Sequence, residues 1–205
     1  MSTLAAASAG SRARLEPARL GVWLFLVSEA MFFTGLLAAF VVLRTGSSSF
    51  GGPGGATSTA LGGAATALLA TSSVCLFRAT SGPARPRGDR VGHRGAATWV
   101  LVAWLMGVAF LALQALEWRH LIASGVSTRT NLYWSSFFVL TGAHGLHVAG
   151  GVAWMAVAWK RVRATSQAIP AEHEASRRGL ELCATYWHFV DAVWLVLFVL
   201  LYLSS

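Results

Sequence analysis

The sequence predicts an all-α integral membrane protein with a bundle of five transmembrane helices. Three observations carry this. Hydrophobic residues make up 55% of the 205-residue chain and charged residues only 12%, about half the charged share of an ordinary soluble domain. The charges gather in short segments, and the stretches between them are long enough to cross about 30 Å of hydrocarbon. Lys and Arg then alternate across those stretches as the positive-inside rule requires.

The spans run near 20–43, 57–77, 96–116, 132–159 and 180–203. The fourth is longer than a perpendicular crossing needs, which a tilt accommodates. Outside the spans, the N-terminal segment carries Arg12, Arg14 and Arg19, and the second loop carries Arg78, Arg85, Arg87, Arg90 and Arg94. The fourth loop carries Lys160, Arg161, Arg163, Arg177 and Arg178. The intervening regions hold only Arg44, Arg119 and Arg129, and the C-terminus holds none. Thirteen basic residues on one side against three on the other place the N-terminus in the cytoplasm and the C-terminus outside. Residues 1–19 read as a cytoplasmic tail and 20–205 as one transmembrane domain.

The formal net charge of +8 follows from these topogenic loops. No segment interleaves aromatic and basic residues as a nucleic-acid surface would, so no nucleic-acid partner is expected. Residues 1–19 lack an apolar stretch followed by a cleavage site. The Gly/Ser-rich loop Thr45–Ala56 and the Pro/Gly/Arg-rich loop Ser81–Arg94 are too short for a folded soluble module. Cys75 and Cys183 lie in apolar segments and form no metal-binding or disulfide pattern, so they read as small buried hydrophobes. Small residues crowd the second span (Ser58, Gly62, Gly63, Ala64, Ala65, Thr66, Ala67, Ala70), which lets another helix approach its backbone closely. Trp23, Trp99, Trp118, Trp134, Trp159 and Tyr202 lie near span ends and read as an interfacial belt.

The chemistry lies in polar groups inside the spans. Glu29 is in the first, His144 and His147 in the fourth, His188 and Asp191 in the fifth, with Gln114 and Glu117 towards the outer end of the third. Glu29, His147, His188 and Asp191 fall eight to twelve residues from the cytoplasmic ends of their spans, or roughly 12–18 Å deep at 1.5 Å per residue. A shared layer predicts a buried polar network of Glu29, His147, His188, Asp191 and His144, with Gln114 and Glu117 as a second group. The plain alternative is structural hydrogen bonding that holds helices together; a proton or ion path is another. His144 and His147, one turn apart, also suit a metal, and His147 with His188 suit axial haem ligation. An independent di-histidine b-type cytochrome and a small proton-coupled transporter therefore stand as competing readings. Gly150-Gly151 is the one candidate helix break a transporter would need.

Four segments resemble, in order, the signatures of subunit III of haem–copper terminal oxidases, in its shorter five-helix bacterial form. They are Ser28-Glu29-Ala30-Met31-Phe32-Phe33, Gln114-Ala115-Leu116-Glu117-Trp118, His144-Gly145-Leu146-His147-Val148 and Tyr186-Trp187-His188-Phe189-Val190-Asp191-Ala192-Val193-Trp194. The resemblance implies a non-catalytic subunit of a complex that reduces dioxygen and pumps protons in aerobic respiration, cytochrome c oxidase being the first choice. The same segments occur in quinol oxidases and in accessory proteins of nitric oxide reductases. It implies no catalytic residue, metal or haem in this chain; haem and copper reside in subunits I and II. It implies contact with subunit I, two helix groups around a lipid-holding cleft, support of proton uptake, and the bacterial inner membrane as location. Glu29 matches the family's carbodiimide-reactive carboxyl. Arg78, Arg119 and Arg178, at span ends, are candidate phospholipid headgroup ligands.

Overall fold

The computed structural model describes residues 16–48, 50–51, 58–81, 90–164 and 170–203. Residues 1–15 of the expected tail, the Gly-rich 52–57 and the loop residues 82–89 lie outside them. Among the described residues the regular structure is all helix: α1 Glu16–Gly46, α2 Thr59–Thr80, α3 Arg90–Ala123, α4 Leu132–Ala164 and α5 Pro170–Phe198, the last continuing as a π-helical turn, Val199–Leu203. All five are long and apolar enough to cross a membrane.

Most helices run past the spans that hydropathy marks. α3 already includes Arg90 and Arg94, and α4 continues through Lys160, Arg161 and Arg163. Hydropathy ends where charge begins, but a charged residue continues an α-helix without penalty. Local chemistry sets the actual ends. The Ser58 side chain accepts from Leu61 N–H at 3.4 Å at the start of α2, and Asn131 Oδ1 accepts from Trp134 N–H at 2.9 Å at the start of α4. α3 stops at Gly125, whose φ of +82° suits glycine. There Val126 N–H donates to Leu121 and Gly125 N–H to Ile122, each at 3.0 Å, in the Schellman pattern. Pro170 occupies the first position of α5, where a missing N–H costs nothing.

α2, α3, α4 and α5 close a four-helix ring in which each packs on its two neighbours. α1 lies outside it, in the groove between α4 and α5. Its buried residues, Leu26, Phe33 and Phe40, recur every seven, the narrow seam of a helix with one line of contact. Much of the rest of α1 is exposed, including Leu24, Val27 and Met31.

Small residues let the ring close. A Cβ at Gly151 would lie 2.7 Å from the Trp187 indole and one at Gly107 2.8 Å from it. Both α3 and α4 are therefore shaped around one α5 side chain. Gly62 of α2 does the same for Phe198 and Tyr202, at 2.8 and 2.9 Å. α4 runs unbroken through Gly150-Gly151, so the break expected of a transporter is a packing site instead. Lipid tails are as apolar as leucine, so burial gives little net drive to helix association; close packing and interhelical hydrogen bonds supply it.

Candidate functional site

Polar contacts between helices fall into three groups at different places. The first joins α1 to α4. His147 Nδ1 lies 2.7 Å from the Ala143 carbonyl, which only accepts, so Nδ1 carries hydrogen. His147 Nε2 lies 2.7 Å from Glu29 Oε2. One proton sits between these two atoms, on the imidazole as an ion pair or on the carboxyl as a neutral pair. Phe33 meets the His147 ring edge-on at 5.0 Å. The Tyr186 hydroxyl donates to the His147 carbonyl at 2.9 Å, tying α5 to the same turn of α4.

The second joins α2 to α5. Ser73 Oγ donates to Asp191 Oδ2 in a short contact, and lies 2.9 Å from His188 Nδ1. Most hydroxyls in these helices bond their own backbone, as Thr34 does to Ala30 and Thr71 to Ala67, both at 2.7 Å. Ser73 instead crosses to another helix. Asp191 is buried, whereas His188 is exposed on the outside of the ring.

The third lies inside the ring. Tyr202 Oη donates to Glu117 Oε2 at 2.7 Å, and Gln114 Nε2 donates to the same oxygen at 3.3 Å. Trp187 Nε1 donates to Ser72 Oγ at 2.7 Å, and Trp194 Nε1 to Thr66 Oγ1 at 3.0 Å. His144 is 1% exposed, between the Phe110 and Trp194 rings at 5.7 and 5.2 Å, and its two ring nitrogens have no hydrogen-bond partner.

The single network expected of Glu29, His147, His188, Asp191 and His144 is thus divided. Depth placed them in one layer; helix azimuth separates them. Glu29 and His147 meet in the α4–α5 groove, His188 and Asp191 meet Ser73 between α2 and α5, and His144 faces aromatic rings. His147 and His188 lie in separate grooves and do not face one another as axial ligands would. No group of three His, Cys, Asp or Glu among the described residues is arranged for a metal.

Gln114 and Glu117 do pair, and the third member of their group is Tyr202, which its place near a span end marks as interfacial. Tyr202 is buried, as is Trp134, so neither belongs to a belt. The π-turn accounts for Tyr202. A regular helix would set Leu201 next after Trp187 and Trp194; the wider turn brings Tyr202 inward beside it. Of the three arginines, Arg78 stacks over the Trp99 ring at 5.2 Å, Arg178 donates to Glu174 at 2.7 Å, and Arg119 is exposed. The sequence does not mark Ser72, Ser73, Thr66 or Tyr186 as site residues. Hydroxyls in a small-residue helix look like packing filler, and nothing in sequence distinguishes one that bonds backbone from one that crosses.

The model of the family described as "Cytochrome c oxidase subunit III" matches residues 58–205, which include α2 to α5. The chain belongs to this family. It is 34% identical over 188 residues to cytochrome c oxidase subunit 3 of Thermostichus vulcanus, covering 91% of this chain and 87% of that one. It is 32% identical over 185 residues to cytochrome bo(3) ubiquinol oxidase subunit 3 of Pseudomonas aeruginosa, covering 90% and 84%. With the quinol oxidase subunit 3 of Bacillus subtilis the identity is 29% over 189 residues, covering 91% and 86%. Both types of oxidase subunit are therefore similar to this chain along nearly its whole length, and the chain is a multi-pass membrane protein of that family.

Proposed function

We propose that this chain is the non-catalytic subunit III of a haem–copper oxidase in a bacterial inner membrane, with cytochrome c oxidase the first choice of complex and a quinol oxidase the alternative. The observation that carries this is the family match across α2 to α5. The redox chemistry, dioxygen reduction at haem and copper, belongs to subunits I and II on this reading. The chain's own polar side chains then serve to fix helices. Glu29 and His147 hold α1 against the ring, Ser73 with His188 and Asp191 holds α2 to α5, and Gln114, Glu117 and Tyr202 lock the outer end. Residues 1–19 are a cytoplasmic tail and the C-terminus lies outside, supported by the distribution of basic residues.

Phospholipid fits the groove on either side of α1, whose single seam leaves apolar surface for acyl chains. Arg119 is the arginine most available to a headgroup, since Arg78 and Arg178 already have partners within the chain. Support of proton uptake would act through the stability of subunit I.

A mild-detergent pull-down from native membranes tests the reading. The expected result is co-purification of a large subunit with a haem–copper redox spectrum, whose electron donor, cytochrome c or quinol, identifies the complex. Recovery of the chain without a haem protein, or a haem Soret band in the isolated chain, rejects it.

A further inference from the structure

His147 and His188 stand in adjacent grooves on the outside of the four-helix ring, and the two grooves are treated differently. The α4–α5 groove holds α1, and Glu29 from that helix meets His147 Nε2 at 2.7 Å. The α5–α2 groove holds no helix among the described residues, and His188 lies on it, exposed. Ser73 has one hydroxyl hydrogen, which it gives to Asp191 Oδ2, so its oxygen accepts from His188 Nδ1–H. A neutral imidazole protonated at Nδ1 has a bare Nε2, which is an acceptor. His188 Nε2 takes no hydrogen bond from the described residues, and hydrocarbon offers none at this depth.

The next groove shows how this protein covers an outward histidine: with a helix that brings a hydrogen-bonding side chain. The surface around His188 admits such a helix. Ala70, three residues before Ser73, and Ala192, four after His188, are both exposed, and small side chains permit close backbone approach. We propose that the α5–α2 groove is the docking site of a transmembrane helix from a neighbouring oxidase subunit, which gives His188 Nε2 a neutral hydrogen-bond donor (a hydroxyl, an amide or an indole N–H). This rests on the chain being an oxidase subunit, and it names the face by which it joins the complex.

The test uses the assembled complex with a photo-crosslinking side chain at Ala192, and at Leu146 of α4 as a control that is 75% exposed. The Ala192 probe is expected to capture a subunit of the co-purified haem complex with about tenfold higher yield than the Leu146 probe. Lipid adducts alone at Ala192, or equal yields from both, overturn the proposal. In a detergent challenge His188→Ala is expected to release from the complex about tenfold faster than the unaltered chain, a change of about 1.4 kcal/mol. His188→Gln, which keeps an acceptor oxygen, is expected to recover most of that retention. Release of His188→Ala at the unaltered rate overturns the proposal. Thermal unfolding of the isolated chain separates lost docking from lost folding, and where His188→Ala does not fold the crosslink decides. Absence of any haem partner from the unaltered preparation rejects the functional reading itself.

Discussion

The ring of α2 to α5 and the lone helix α1 are held by different means. Within the ring, aromatic side chains of α5 reach across to other helices: Trp187 to Ser72, Trp194 to Thr66 and Tyr202 to Glu117. Glycines at 62, 107 and 151 make room for them. α1 has a seam of Leu26, Phe33 and Phe40, and its Glu29 meets His147 of α4. At these three glycines the ring is a jigsaw in which an added methyl group has nowhere to go. α1 is an attachment that local changes should loosen without opening the ring. In hydrocarbon this distinction matters more than buried area, because tight fit and hydrogen bonds, rather than removal of apolar surface from water, keep helices together.

The largest effect should come from breaking the jigsaw. Gly151→Val sets branched atoms where even a Cβ lies 2.7 Å from the Trp187 indole. We expect a loss of about 3 kcal/mol, from overpacking of a site walled by the buried Trp187 and Tyr186 rings. Denaturant titration in micelles measures it; a loss under about 1 kcal/mol would show that the ring yields, contrary to the contrast drawn here. Trp187→Ala removes the opposing piece and should cost about 3 kcal/mol through the cavity it leaves. Combining it with Gly151→Val should cost less than the sum of the two, since the clash is gone.

Tyr202→Phe comes next. It strips the Glu117 carboxyl of its shorter hydrogen bond inside the ring, with a cost of about 1–2 kcal/mol for a buried group losing its partner. A double-mutant cycle with Glu117→Gln should recover an interaction term of comparable size; additivity of the two changes would mean that the contact carries no energy.

Glu29→Ala is expected to cost about 1 kcal/mol, and to do so locally. Hydrogen exchange should quicken across α1 while α2 to α5 keep their protection. Equal acceleration in both regions would erase the difference between ring and attachment. The smallest effect belongs to Leu146→Ala, which removes an exposed side chain and should change stability by less than about 0.5 kcal/mol.

The five helices, their order and the family signatures are legible in the residues. Apolar runs of bilayer length admit almost one backbone conformation, because only a helix satisfies every N–H and C=O within its own segment. Sequence also marks Glu29, His147, His188 and Asp191 as costly, and depth follows from counting at a fixed rise per residue. Azimuth does not follow. A helix placed at known depth remains free to turn about its axis until packing fixes it. That freedom separates His188 from Glu29 and sends the two into different grooves.

By itself, then, the sequence determined that this chain crosses a membrane five times, which side groups it carries at mid-depth, and which family it resembles. Each is a property of one segment and its solvent. Only the tertiary structure decided that Ser73 bridges His188 and Asp191, that a π-helical turn swings Tyr202 onto Glu117, and that Gly107 and Gly151 exist for Trp187. Those contacts join residues far apart in the chain. They depend on how the helices turn against one another, which close packing settles and hydrophobicity leaves free.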